Sequence, residues 1–213
     1  TRKKYIVNCR FFFQQTTGVQ RYAIECTKII NNLSDVDVDF IAHRGKINHQ
    51  IKEDISIKQF GILKGHLWEQ IELPIYCFFK NATLINLCGA PSIFLKKQLY
   101  AIHDLAYFEH SKFFNFIYSF FYKTLMRFSY SRIEKIITVS NFTKNEAHKI
   151  LGKREISIVN NSYNHLINAK PSECHTTLKH DNFILTVGSI DPRKNLNHIL
   201  KNFLDLKNDT KLV

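Results

Sequence analysis

Residues 135–151 read KIITVSNFTKNEAHKIL, and the meaning of this stretch decides the fold. Lys135–Val139 is a short β-branched run of strand length, followed at once by Ser140, whose hydroxyl suits a helix N-cap. From Ser140 the chain reads as a helix to about Leu151. The same alternation extends in both directions. Strands are expected at Tyr5–Phe12, Val36–Ala42, Ile55–Phe60, Thr83–Leu87, Gln98–His103 and Glu155–Val159. Between them lie a helix opening at Gly18 with Ala23, Ile24, Thr27, Ile30 and Leu33 on one face, a helix over 65–80 kinked or divided by Pro74, and a long helix near 112–132. Strands alternating with helices predict an α/β fold, a Rossmann-like parallel-sheet domain over 1–164 covered on both faces. Residues 165–181 lack periodicity and contain Pro171, so they read as a linker. A second unit opens at 182, with a buried strand Phe183–Val187, a helix Asn195–Leu206 and a strand Thr210–Val213. A lone strand–helix–strand cannot bury its own faces, so 182–213 is expected to be the first part of a second Rossmann-like domain.

Composition sets the outer limits. Hydrophobic residues at 45% and charged residues at 23% supply a real core and exclude a disordered or fibrous chain. The net charge of +12 divides evenly between the two halves, so there is no basic tail. A local excess lies in 111–154, where Lys112, Lys123, Arg127, Arg132, Lys135, Lys144, Lys149, Lys153 and Arg154 face only Glu134 and Glu146. Such a balance suits a phosphate-rich partner: nucleic acid, an anionic membrane face or a nucleotide. Five scattered cysteines without a C-x-x-C pair fit neither a disulfide framework nor a zinc site. The basic, then apolar start is interrupted by Arg10 and followed by no cleavage site, and Phe113–Tyr122 is about half a membrane span. A cytoplasmic chain without a transmembrane helix is expected.

Several residues could carry chemistry. Gly18 follows the first strand and opens a helix, where free N–H groups can meet an anion; on this feature alone a plain turn glycine is the first reading. Neither G-x-G-x-x-G nor G-x-x-x-x-G-K-[ST] occurs, which disfavours dinucleotide oxidoreductases and P-loop enzymes. His103 and Asp104 end a strand on the side where open parallel sheets bind ligands. They suit hydrogen bonding to a polar substrate, or else a helix cap and a satisfied rim residue. Asp35, Asp37 and Asp39 alternate with valines at a strand entrance, which reads as a solvated face rather than a metal site. Nine aromatics in Phe113–Tyr130 lie among basic residues; core packing explains most of them, with membrane-surface contact second and nucleic-acid stacking third. Gly188-Ser-Ile-Asp-Pro-Arg193-Lys194-Asn195 puts two cations before a helix, able to clamp a diphosphate or to be an exposed basic loop.

Together these pieces resemble family 4 (group 1) glycosyltransferases of the GT-B fold, closest to bacterial members that build lipopolysaccharide and other surface polysaccharides. The resemblance rests on Arg10 with Thr17-Gly-Val-Gln-Arg-Tyr22, Ala101-Ile-His-Asp-Leu105, Ile136-Ile-Thr-Val-Ser-Asn-Phe-Thr143, Ile158-Val-Asn-Asn161 and Ile184-Leu-Thr-Val-Gly-Ser-Ile-Asp-Pro-Arg-Lys-Asn-Leu196. It implies a retaining hexosyltransferase, mannose being one candidate sugar, that uses a nucleotide-sugar donor, a saccharide or lipid-linked acceptor and no metal or other cofactor. It implies donor contacts at Gly18, Arg193 and Lys194 and a catalytic role for His103 beside the donor sugar. It puts Arg21, Asp104, Ser140 and Asn161 along the acceptor side or cleft. Location would be cytoplasmic and peripheral on the inner membrane face, with nucleic acid disfavoured as a partner. Asn161-Ser162 stands where the family usually has Asn-Gly, and the family's E-x7-E donor segment would fall beyond Val213. The 213 residues alone are therefore expected to transfer no sugar. A non-catalytic binding module, or a decayed remnant of such an enzyme, fits the same pattern.

Overall fold

Ile6 and Val7 are adjacent and both fully buried, yet they pack into different cores. They lie in strand β1 (Lys4–Asn8), where successive side chains turn to opposite faces. In β2 (Asp37–Ala42) Ile41 joins Ile6, while Phe40 and Ala42 join Val7; in β4 (Thr83–Asn86) Leu84 and Ile85 divide the same way. Apolar runs buried on both faces belong to a parallel sheet between helix layers. With β3 (Ile57–Gln59), β5 (Gln98–Ile102), β6 (Lys135–Thr138) and β7 (Ser157–Ile158), the strands form a seven-stranded sheet ordered β3-β2-β1-β4-β5-β6-β7. Every pairing is parallel, so the unit is a Rossmann-like α/β fold. This computed structural model describes residues 3–47, 55–109, 114–163, 167, 182–188, 192–204 and 210–213. It comprises two compact units, Thr1–Ser162 and Tyr163–Val213.

One face of the sheet is covered by α1 (Gly18–Asn31), which contributes Tyr22, Ala23 and Ile24 to the Val7 core. The other is covered by α2 (Gly65–Leu67), a π turn at Trp68–Glu72 and α3 (Leu73–Phe79), which bring Trp68, Leu73 and Cys77 onto Ile6. A third core gathers Met126 of α5 (Phe116–Ser129) and Ala147 of α6 (Asn141–Leu151) around Tyr100, Ile102 and Ile136. A short α4 (Ala106–Glu109) adds Tyr107. Among the described residues no helix is long and apolar enough to cross a membrane.

Two expectations need correction. The first strand stops at Asn8, not Phe12, because the Asn8 side-chain Oδ1 accepts from the Arg10 backbone N–H at 3.1 Å and turns the chain. Arg10–Phe13 is then a 3-10 turn that tucks Phe11 and Phe12 into the core. As expected, the helix over 65–80 is divided at Pro74: it stands in the first turn of α3, and the turn before it widens to π geometry, which accommodates a residue lacking an N–H and crowding the carbonyl four positions back. The aromatic helix is not mainly core. Phe116 and Phe120 are 81% and 64% exposed, Tyr118 and Phe128 are also exposed, and the buried face is Ser119, Leu125, Met126 and Ser129. Phe113 lies outside the described residues.

The aspartate strand is only partly solvated. Asp39 is 13% exposed and bridges Lys4 of β1 at 3.1 Å and Lys58 of β3 at 2.6 Å, while Val38 packs against the core. Burial alone would raise its carboxyl, but the hydrogen bonds from Lys58 and Lys4 outweigh it and hold the group below the ordinary aspartate value. Its contribution is therefore complete above about pH 4 and lost as pH falls through the lowered folded value. Asp39→Asn should cost about 1 kcal/mol, or about 2–4 °C of melting temperature, at pH 7. Melts at descending pH should converge with wild type as pH falls through the lowered folded value; a constant gap would contradict this assignment.

In the second unit, β8 (Phe183–Ile184) pairs in parallel with β9 (Lys211–Leu212), and α7 (Leu196–Leu204) lies between them in sequence. The strand expected to be buried over Phe183–Val187 is two residues long and half-exposed, since its only described strand partner is β9. Apart from Ile167, residues 165–181 lie outside the described set.

Candidate functional site

Strand order reverses between β1 and β4, and ligands of open parallel sheets bind outside the carboxyl ends at such a point. Both strands run apolar and end in asparagine, Asn8 and Asn86. Asn8 Nδ2 donates to Asn86 Oδ1 at 2.7 Å and to Glu69 Oε1 at 2.9 Å, and Asn86 Nδ2 donates to the Ala90 carbonyl at 2.8 Å. Glu69 sits in the π turn, a geometry frequent at functional sites, with its side chain 1% exposed. A buried carboxylate needs a charge partner and donors. Arg10 Nε supplies the charge at 2.8 Å on Oε1, and His66 Nδ1 donates to Oε2 at 2.9 Å. Gly89, at φ +101°, closes the cluster: a Cβ there would stand 2.9 Å from Glu69 Oε1, so only glycine fits both backbone and space. Cys88 beside them is pushed up to about 12, chiefly by burial, and remains a thiol.

His103 follows β5 on the same edge. Its Nε2–H donates to the Leu87 carbonyl at 2.8 Å, which fixes Nδ1 as the acceptor of the neutral ring, and Tyr22 meets the ring edge-on at 4.9 Å. Burial lowers its pKa below the ordinary histidine value, opposed by the Leu87 bond and by Asp104, so the ring is neutral near pH 7. Asp104 is a cap: its carboxylate accepts from the Ala106 N–H at 3.1 Å. Ser140 is the N-cap of α6, accepting from Thr143 N at 3.1 Å, and Thr143 Oγ1 in turn donates to the His103 carbonyl at 3.3 Å. The carboxyl ends of β5 and β6 are thus tied through one hydroxyl.

Gly18 begins α1 behind a capping box of Thr17 and Gln20, and a Cβ there would meet nothing within 4 Å. Neither backbone strain nor packing demands glycine at that position. Arg21 lies 3.6 Å from Glu25 one turn along the helix. Asn161 is exposed, and it is Asn160 that donates to the Val139 carbonyl at 3.0 Å beyond β6. In the second unit Arg193 and Lys194 fall in a 3-10 turn at Pro192–Lys194 before α7; Lys194 is exposed, and a Cβ on Gly188 would lie 4.0 Å from its Cγ. Among the described residues no group of three or more His, Cys, Asp or Glu could hold a metal ion.

Asn8, His66, Glu69, Asn86 and Gly89 are the site residues that sequence reading missed. Two apolar strands ending in asparagine, and His66 and Glu69 spaced i,i+3 on one helix face, were the available signals. No family model matches the chain. In sequence it is 23% identical over 212 residues to the O-antigen chain mannosyltransferase RfbU of Salmonella typhimurium, an alignment covering 92% of this chain and 58% of that protein. The chain is therefore a distant relative of a glycosyltransferase and spans less than two thirds of its length.

Proposed function

We propose that the chain is the acceptor-side part of a retaining sugar transferase. It would move a hexose, with mannose the first candidate, from a nucleotide-sugar to a bacterial surface-polysaccharide or lipid-linked acceptor. One observation carries this reading: the polar groups gather at the carboxyl edge of a Rossmann-like sheet, in a chain resembling an O-antigen mannosyltransferase over 92% of its length. On this reading residues 1–164 face the acceptor, 165–181 link, and 182–213 open the donor domain. The acceptor hydroxyl oxygen bonds to the anomeric carbon while the bond from that carbon to phosphate breaks, and the hydroxyl proton passes to the departing phosphate oxygen. The electron pair leaves on the diphosphate, where Arg193 and Lys194 offset its charge. Gly18 faces the donor phosphates, and neutral His103 meets the donor sugar through Nδ1. No metal is required. The test is transfer by the intact gene product from a panel of labelled nucleotide-sugars to a lipid-linked oligosaccharide, with and without chelator. Chelator-insensitive transfer is expected; no transfer from any donor would overturn the reading.

We further propose that the protein sits on the inner membrane face, a reading that α5 supports. Phe116, Ile117 and Phe120 are exposed beside Lys123 and Arg127, whose charged groups lie 5.9 and 5.4 Å from the Phe108 ring centroid. Lys149 and Arg154 are otherwise engaged, the first with Glu109 and Glu146, the second with the Tyr130 and Ile133 carbonyls. Binding to phosphatidylserine vesicles should be salt-sensitive, at about 1 kcal/mol per basic residue near the surface, and weakened by Phe116→Ser with Phe120→Ser. Equal, negligible binding to neutral and anionic vesicles would count against it.

A further inference from the structure

His66 is held by a group that does not itself reach solvent. Glu69 accepts from three donors, Asn8, Arg10 and His66, and a carboxylate can only accept, so His66 carries its proton on Nδ1. In the Nδ1–H tautomer, Nε2 is then a lone pair directed away from Glu69. It faces the Tyr122 hydroxyl at 3.4 Å, a long contact that a better-placed ligand hydroxyl can replace. The His66 side chain is 38% exposed, and the Phe121 and Tyr122 rings lie 5.2 and 5.6 Å from the imidazole. Burial raises the Tyr122 pKa well above the ordinary phenol value, so it remains a neutral O–H.

The polarity of this pair selects a ligand class. Arg10 already balances the Glu69 charge, and the accessible nitrogen offers a lone pair that repels phosphate and accepts from O–H. Beside it stand a phenol that can donate or accept and the half-buried Phe121 ring, apolar surface on which sugar C–H groups can pack. We propose that His66 Nε2 and the Tyr122 hydroxyl, oriented by Glu69, bind a hydroxyl of a neutral saccharide at the carboxyl edge beside the strand-order reversal. This site rests on the sugar-transfer reading and adds a recognition element to its acceptor side. His66 and Tyr122 would contact the sugar, and Glu69 is a positioning residue that fixes the tautomer.

The test uses residues 1–213 with 15N-labelled histidine, titrated with methyl α-D-mannopyranoside, methyl α-D-galactopyranoside and, separately, inorganic phosphate. His66 should show a bare Nε2 and a protonated Nδ1 at pH 7.5, and at least one glycoside should shift Nε2 saturably while phosphate does not. Tyr122→Phe should weaken that binding about two- to tenfold, and His66→Gln should abolish it. Glu69→Gln should mix the tautomers; should it fail to fold, Tyr122→Phe at the half-buried rim still decides. An Nε2–H tautomer, no saturable shift at His66 with either glycoside, an equal response to phosphate, or unchanged affinity in Tyr122→Phe would overturn the proposal. A saturable response at His103 with His66 silent would overturn this site and leave the sugar-transfer reading standing. Failure of that reading shows separately, as absent transfer in the nucleotide-sugar panel.

Discussion

Glu69→Ala should destabilise the 1–162 unit by about 3–5 kcal/mol, because it strands the buried Arg10 guanidinium without its charge partner. For a protein of this size the loss corresponds to about 6–20 °C in melting temperature. The same change leaves His66 Nδ1 without its acceptor and Asn8 Nδ2 with only Asn86 Oδ1, so the effect should exceed that of an ordinary surface ion pair severalfold. The charge argument has a distinctive consequence. Glu69→Leu combined with Arg10→Met should be less destabilised than Glu69→Leu alone, since removing both charges removes the uncompensated one. Urea unfolding of the four proteins checks this; a double variant as unstable as the sum of the singles would show that the pair contributes by packing instead.

His103→Ala is expected to have the largest effect on activity. If Nδ1 meets the donor sugar as charge develops, its removal should lower turnover of the intact gene product about 100- to 1,000-fold. The same ring donates to the Leu87 carbonyl and packs on Tyr22, so the variant should also lose about 1–3 kcal/mol of stability. Thermal melts run beside the kinetics separate the two, because a still-folded protein with near-normal turnover would reduce His103 to the rim residue its Leu87 bond also describes.

Local signals made the sheet legible. Ser140 caps α6 as its position implies, because a cap acts within three residues of itself. The strands of the first unit were readable because parallel strands are continuous apolar runs. Where a side chain competes with the backbone, reading failed: Asn8 ends β1 four residues early by accepting from Arg10 N. Composition could not separate the two faces of α5, since both carry apolar residues and two serines lie on the buried one. The Glu69 cluster was invisible for a different reason. Its members are 61 and 78 residues apart along the chain, Asn8 to Glu69 and Asn8 to Asn86, and only strand order brings them together. His103, Asp104, Gly18 and Ser140 were singled out because each sits next to a strand end or helix start visible in the sequence, whereas nothing local reported that His103 is already bonded to Leu87.

The central claim is that the carboxyl edge of the sheet receives a saccharide. Backbone amide spectra of residues 1–213, titrated with a neutral oligosaccharide, test it most directly. Saturable shifts are predicted at Asn8 and Arg10, Gly18, Leu87–Gly89, His103–Leu105 and Ser140–Thr143, all at or beyond the carboxyl ends of β1, β4, β5 and β6. Shifts concentrated instead at the amino ends, Lys4, Thr83, Gln98 and Lys135, or no saturable shift anywhere, would contradict the account.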